Sequence, residues 1–211
     1  DFYAIPAVAT SDAGVYYCKV TLECGDEINI ERELIVNEHV TIVSPADETI
    51  HICQGEQPLL KLEVNGDTDN YVIDWTNATD VSLGLGDLNQ VQLSKHDVAG
   101  TFTYKAKVSS DCDNLEKKFN VIVHEKPKLT PIDPVFECEG DITLSATVTG
   151  LDYKTIEWWN SDESIKLGLG ANYTISGASH PDSEGTYVAK VTTDYCGSIK
   201  TNALVNVYAP I

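Results

Sequence analysis

The sequence predicts an all-β protein made of tandem β-sandwich domains, two of them complete and one partial. Two observations support this prediction. Apolar and polar residues alternate over segments of about 5–9 residues, such as LLKLEV at 59–64 and ITLSATV at 142–148, and no stretch sustains a helical period of 3.6 residues. Turns rich in Gly, Asn and Asp separate these segments, and the whole order of segments recurs about 84 residues later.

One period relates the middle of the chain to its last part. Cys53 and Cys138 are 85 residues apart, and Trp75 and Trp158 are 83 residues apart. The other landmark pairs, at spacings of 84 or 85 residues, are Gly66 with Gly150, Gly84 with Gly168, Gly100 with Gly185, and Cys112 with Cys196. A period of this length is too long for a solenoid repeat and fits a small β domain.

The elements follow the same order in each repeat. A Cys-x-Gly motif comes first, followed by an alternating strand, a polar turn and a strand that carries Trp. An LGLG segment, a short strand, a strand that begins at Gly, a turn with a second Cys and a last strand complete the repeat. We interpret LGLG as a turn and not as a phosphate loop, because neither copy precedes a helical pattern. Its leucines are expected to face the core.

The repeat predicts three domains, at residues 1–37, 38–125 and 126–211. The second linker, HEKPKLTPIDP at 124–134, contains three prolines and is expected to be extended and stiff. Residues 1–37 match only the last three strands of a repeat, with DAGVYYCKV in the place of GTYVAKV. Three strands cannot bury both faces of a core, so we expect that the chain was cut from a longer protein or that a partner completes this domain.

The net charge of −19 excludes several classes of partner. Nucleic acid and anionic lipid both require basic residues, and Arg32 is the only arginine in the sequence. No apolar run reaches the roughly 20 residues that a membrane-spanning helix needs. No cofactor is predicted. Ca²⁺ is the open alternative, because Asp67 and Asp69 form a short oxygen cluster, although a polar hairpin turn explains the same residues.

The segment DAGVYYC resembles the D-x-G-x-Y-x-C pattern of immunoglobulin-like domains, in which the tyrosine forms a corner before the second cysteine. The order of Cys-x-Gly, Leu, Trp, G-x-G, Gly-x-Tyr and Cys is similar to the immunoglobulin-like repeats of large surface proteins and adhesins of Bacteroidota bacteria. This resemblance implies tandem immunoglobulin-like sandwiches. The side chains expected in their cores are Trp75, Trp158, Tyr16, Phe102 and Tyr187.

Six cysteines without a C-x-x-C motif indicate an oxidising compartment and structural disulfides. Within the immunoglobulin-like repeats, the favoured pairs are Cys53 with Cys112 and Cys138 with Cys196. Each bond would tie the start of a repeat to the turn before its last strand, and would contribute about 4 kcal/mol. A metal site that uses His51 and Cys53 on one strand face is the alternative for Cys53.

Cys18 and Cys24 are expected to be unpaired in this chain. Six residues of extended strand span roughly 20 Å, whereas the Cα atoms of a disulfide lie within about 7 Å of each other. The pair can form only if the chain reverses between the two residues. We therefore expect the partner of Cys24 to lie upstream, and expect Cys18 to point inward, where it either pairs upstream or stays a buried thiol.

Function is predicted less directly. The five histidines are far apart in the sequence and none lies beside an evident nucleophile, so no enzyme is predicted. Trp159 follows Trp158 and must face the opposite side of its strand, where it is a candidate contact with a ligand. The leading hypothesis is a secreted cell-surface segment for adhesion or filament building, whose partners are a protein or glycan ligand or neighbouring repeats. A passive stalk that presents a distal domain and a polysaccharide-binding module of a secreted enzyme are the alternatives.

Overall fold

The computed structural model describes residues 2–43, 47–66, 70–150 and 153–209. Apart from one short 3₁₀ helix at Thr10–Asp12, its regular elements are strands. In chain order the strands are β1 (Gly14–Thr21), β2 (Glu27–Leu34), β3 (Thr41–Ile42), β4 (Asp47–Cys53), β5 (Leu59–Lys61), β6 (Val64–Asn65), β7 (Tyr71–Asn77), β8 (Gln90–Gln92), β9 (Gly100–Ser110), β10 (Asn114–His124), β11 (Lys128–Leu129), β12 (Val135–Cys138), β13 (Gly140–Ser145), β14 (Val148–Thr149), β15 (Tyr153–Trp159), β16 (Lys166–Leu169), β17 (Asn172–Ala178), β18 (Gly185–Thr193) and β19 (Ser198–Tyr208).

The strands group into two compact units. The first comprises Asp1–Glu48, Leu59–Val91 and Thr103–Phe119, and the second comprises Thr49–Pro58, Gln92–Phe102 and Asn120–Ile211. The middle part of the chain contributes to both units. It contains a four-stranded sheet with the order β4-β10-β9-β7.

The second unit contains a β-sandwich. A five-stranded sheet has the order β12-β19-β18-β15-β16, and β13 pairs with β17 in a second sheet. Strands β12 and β19 run parallel, whereas β15, β18 and β19 pair as antiparallel neighbours. Alternating residues of β13, β15, β17, β18 and β19 meet in a single apolar core that surrounds Trp158. The strand alternation predicted from the sequence therefore supplies the inner faces of both sheets.

The first unit has a core around Trp75. The Trp75 side chain is 1% exposed, and its indole N–H donates a 2.7 Å hydrogen bond to the Leu88 carbonyl. The ring of Phe119 packs at 5.5 Å between centroids. In the second unit the indole of Trp158, which is 0% exposed, donates a 2.9 Å bond to the carbonyl of Gly170. Both tryptophans thus combine a large apolar burial with a satisfied polar N–H group.

The tyrosine corners are present where the sequence has tyrosine. The Tyr187 hydroxyl donates to the Ser183 carbonyl at 3.1 Å, and the Tyr16 hydroxyl donates to the Asp12 carbonyl at 2.8 Å. Tyr187 is half-buried against the core of the second unit. Phe102, which has no hydroxyl, is half-buried and contacts the edge of the His96 ring instead.

Residues 1–37 differ from the prediction in two ways. They form two strands instead of three, and every residue of β1 is exposed. Tyr16, which was expected in a core, is 37% exposed, and the thiol of Cys18 is exposed although it was expected to point inward. The reason is that among the described residues β1 pairs only with β2, so no second sheet covers the hairpin. One face of the hairpin forms an open groove with a volume of about 450 Å³. The residues that line it are Tyr3, Ile5, Tyr16, Tyr17, Cys18, Ile30, Arg32, Glu33 and Leu34.

The two LGLG segments take different conformations. The first has no regular secondary structure, and its Gly84 and Gly86 have φ values of +63° and +77°. The second runs as strand β16 beside β15, and its final Gly170 has a φ of +105°. Leu169 is 61% exposed, so the expectation that both leucines of this copy face the core was wrong. Pairing with β15 places Leu169 on the outer side of the edge strand.

Candidate functional site

The outer face of the five-stranded sheet carries an organised group of aromatic and charged side chains around Trp159. Alternation along β15 buries Trp158 and turns its neighbours Glu157 and Trp159 outward. In the sheet register, Glu157 lies opposite Lys190 on β18, and Lys190 lies opposite Lys200 on β19. We refer to Glu157, Trp159, Glu163, Lys166, Lys190 and Lys200 together as the Trp159 patch.

The indole of Trp159 is held in place by charged neighbours. Its N–H donates a 3.2 Å hydrogen bond to Glu157 Oε2. Lys166 Nζ and Lys190 Nζ lie 5.2 Å and 5.8 Å from the centroid of the indole. These distances are within the range of cation–π attraction, so the half-buried ring is fixed on a charged surface.

Two carboxylates order the lysines of the patch. Glu157 bonds Lys166, and Glu163 bonds both Lys200 and Lys190, the latter at 3.2 Å. The hydrogen bond from Lys166 lowers the pKa of Glu157, and the bonds from Lys200 and Lys190 lower the pKa of Glu163. Both carboxylates are therefore ionised at neutral pH. The patch offers a flat aromatic surface with cationic and anionic hydrogen-bonding groups at its edge.

Of the candidates from the sequence, Trp159 takes the predicted outward position. Asp67 and Asp69, the weak calcium candidates, lie outside the described residues. Across the described parts of the chain, no three His, Cys, Asp or Glu side chains come together as a metal site. The lysines of the patch were missed by sequence reasoning. The sequence signal that could have identified them is strand alternation, which places Lys190 in GTYVAKV and Lys200 in SIKTN on the outer face of the sheet.

The disulfide connectivity differs from the prediction. Cys53 is bonded to Cys196, with Cα atoms 5.1 Å apart, whereas Cys112 and Cys138 are exposed thiols. The bond therefore joins the Cys-x-Gly motif of the second predicted repeat to the turn of the third. The predicted Cys53–Cys112 and Cys138–Cys196 pairs were wrong.

The strand register of the last repeat explains this correction. Cys138 lies opposite Tyr208, the last residue of β19, whereas Cys196 precedes the first residue of β19. The 11 residues of β19 span on the order of 35 Å at roughly 3.3 Å per residue. Because a disulfide needs Cα atoms within about 7 Å, Cys138 and Cys196 cannot pair within one repeat. The two cysteines of a repeat lie at opposite ends of its last strand.

Three aromatic rings pack beside the Cys53–Cys196 bond. His51 Nδ1 and His124 Nε2 are 2.8 Å apart, so one ring donates a hydrogen bond to the other. The Tyr195 ring stacks on both, at centroid distances of 4.2 Å from His51 and 4.1 Å from His124. The alternative metal site would have used both His51 and Cys53 as ligands. Instead, His51 is hydrogen-bonded to His124, and Cys53 is in a disulfide.

No protein-family model matches the chain, and no curated protein matches it. Solved structures do match. An I-band fragment of titin aligns with a TM-score of 0.61 at 16% identity over 96% of this chain and 77% of that one. Extracellular domains 3–5 of Drosophila OTK align with a TM-score of 0.58 at 16% identity over 96% and 73% of the two chains.

Immunoglobulin domains 1–4 of Sidekick-1 align with a TM-score of 0.57 at 16% identity, over 96% of this chain and 60% of that chain. At these identities the likeness concerns the fold alone. The predicted fold is confirmed: the chain is an all-β tandem of immunoglobulin-like sandwiches. In the part of the chain that the structure describes, no helix is long and apolar enough to cross a membrane.

Proposed function

We propose that this chain is a non-enzymatic segment of a long extracellular surface protein of the Bacteroidota adhesin type, in which immunoglobulin-like repeats act in series. The observation that carries the proposal is the Cys53–Cys196 bond, which joins cysteines of successive repeats. A disulfide of this kind belongs to an oxidising compartment outside the cytosol. It also connects the two repeats by a second covalent bond besides the peptide linker. Such a connection suits a protein that is pulled between two surfaces.

The Trp159 patch is the proposed contact surface of this adhesive segment. Its indole is fixed by Glu157, Lys166 and Lys190, so binding a ligand would cost little side-chain ordering. An aromatic face edged by lysines and carboxylates suits the apolar face and hydroxyl groups of a sugar ring, or an acidic segment of a protein. A glycan ligand is also the basis of the alternative, a polysaccharide-binding module of a secreted enzyme.

Binding by the full chain tests the proposed contact surface. The oxidised chain is applied to glycan arrays and to immobilised extracellular matrix proteins, and any ligand found is titrated against Trp159→Ala. We expect the substitution to weaken binding about 10-fold or more, because central aromatic residues contribute about 2 kcal/mol or more at contact surfaces. The Leu204→Ala variant is the matched control, since Leu204 is an exposed apolar residue of the same sheet outside the patch.

An unchanged affinity in Trp159→Ala would contradict the patch as the contact surface. If the oxidised chain binds no surface ligand, the passive stalk becomes the better explanation. The Cys53–Cys196 bond is compatible with both the stalk and the adhesive segment, so this experiment separates the two by ligand binding alone.

A further inference from the structure

The cysteines fall into two classes by their place in the repeat. Cys53 and Cys138 belong to Cys-x-Gly motifs at the ends of β4 and β12, whereas Cys112 and Cys196 lie in the turns before β10 and β19. The observed bond joins a cysteine of the first class to a cysteine of the second class in the following repeat. With this bond formed, Cys138 remains a free cysteine of the first class, and Cys112 remains a free cysteine of the second class.

Cys112 is placed in the same way as Cys196. Cys196 Sγ lies 3.9 Å from the carbonyl oxygen of His124, and Cys112 Sγ lies 3.9 Å from the carbonyl oxygen of Asn37. His124 and Asn37 hold equivalent positions, each directly after the last valine of the preceding repeat. Asn37 Nδ2 also donates a 2.9 Å bond to Asp111, the residue before Cys112. The turn cysteine thus takes the same position relative to the preceding strand at two places in the chain.

Cys138 is surrounded by the equivalents of the aromatic residues that flank Cys53. Phe136 corresponds to His51, and Tyr208 corresponds to His124, at the repeat spacings of 85 and 84 residues. Phe136 and Tyr208 are each 56% exposed, whereas their counterparts are stacked against Tyr195. In the register of β12 and β19, Cys138 lies directly opposite Tyr208. The exposed Cys138 therefore has an exposed aromatic residue two positions before it and another opposite it on β19, at the positions that flank a disulfide one repeat earlier.

We propose that Cys138 forms a disulfide with the turn cysteine of a further immunoglobulin-like repeat of this kind, and that the aromatic residue before that cysteine packs on Phe136 and Tyr208. The partner is thus a β-hairpin turn with an aromatic-Cys pair, as in Tyr195-Cys196. In the reaction the two thiols lose two protons and two electrons and form one S–S bond. A small-molecule disulfide such as oxidised glutathione accepts them, and its own S–S bond breaks to give two thiols. This inference depends on the repeat geometry and not on the Trp159 patch.

The full chain extended after Ile211 by a second copy of residues 128–211 tests this bond directly. A Ser198→Thr substitution in the added copy marks its turn-cysteine peptide by mass, at an exposed position beside the turn, and a Cys138→Ser substitution in the added copy leaves the original Cys138 as the single Cys138 peptide. After oxidation with glutathione disulfide and alkylation of free thiols, unreduced peptides are identified by mass spectrometry. We expect the Cys138 peptide to be linked to the marked peptide in most molecules. The unmarked Cys196 peptide is expected on Cys53, as an internal control of folding and oxidation.

Alkylated Cys138 in molecules that contain the Cys53–Cys196 bond would overturn the proposal. A bond from Cys138 to the unmarked Cys196 or to any other cysteine would also overturn it. The same extended chain with Cys138→Ser also in the original copy is the matched control, in which the marked peptide is expected to be alkylated. If the marked cysteine were still oxidised in that control, the linkage would not be specific for Cys138.

Discussion

Single residues at the repeat junctions are constrained by sterics that recur with the sequence period. Gly66 has a φ of +112°, and a Cβ atom added there would lie 2.1 Å from the carbonyl oxygen of His39. Its equivalent, Gly150, has a φ of +102°, and a Cβ atom there would lie 3.1 Å from Pro127 Cα. At Gly66 the backbone of a preceding segment passes too close for a side chain, and at Gly150 it makes a tight contact, while the positive φ favours glycine at both positions.

We predict that Gly66→Ala lowers the free energy of unfolding by about 2–4 kcal/mol, because both the positive φ and the contact with His39 oppose a methyl group. Gly86→Ala is the control. Gly86 has a φ of +77° and open space around it, so the cost there is expected to be about 1 kcal/mol. Urea denaturation of both variants measures the difference, and equal losses would contradict the steric explanation.

The carboxylates of the Trp159 patch predict a pH dependence of stability. Lys200 and Lys190 lower the pKa of Glu163 in the folded chain below its value of about 4.3 in the unfolded chain. The stabilisation from Glu163 is therefore fully present above that unfolded pKa and is lost as the pH falls through the folded pKa. Glu163→Gln is expected to destabilise the chain at pH 7 and to have progressively less effect below about pH 4.

Thermal unfolding at a series of pH values checks this prediction. Glu137→Gln, at an exposed position on β12, serves as the control for removing one negative charge. An effect of Glu163→Gln that stayed constant from pH 7 to pH 3 would show that the ion pairs with Lys190 and Lys200 do not contribute.

Among the elements, the β1–β2 hairpin is the least supported by packing. All eight residues of β1 are exposed, whereas the equivalent strand β18 places Val188, Ala189 and Val191 in a core. A two-stranded hairpin is marginally stable in water, so β1 and β2 should open far more often than β18 and β19. Amide hydrogen exchange is expected to show protection at least about 100-fold lower in β1 than in β18. Similar protection in the two strands would contradict this.

The elements also show where sequence reasoning succeeds. Period-2 alternation and the Trp positions predicted the strands and the inward direction of Trp75 and Trp158, since these depend on local geometry. The sequence did not predict that the second LGLG segment forms a strand. A Gly-rich segment locally favours a turn, but pairing with β15 overrides this preference. The charged neighbours of Trp159 come from four strands and one loop, so their proximity depends on sheet register, which one sequence does not specify directly.

For the whole molecule, the main correction concerns how the repeats are joined. The spacing of the cysteines identified two equivalent classes, but pairing them within one repeat ignored the length of the last strand. Strand β19 keeps Cys138 and Cys196 at its opposite ends, so a bond can form only with a cysteine of another repeat. The Cys53–Cys196 bond therefore links the second and third predicted repeats covalently, in place of the two internal disulfides predicted from the sequence.

The most direct test of this connectivity is disulfide mapping of the oxidised chain by mass spectrometry without reduction. The structure predicts a linked pair of peptides that contain Cys53 and Cys196, with Cys112 and Cys138 recovered as alkylated thiols. Linked peptides that join Cys53 to Cys112 and Cys138 to Cys196 would contradict it.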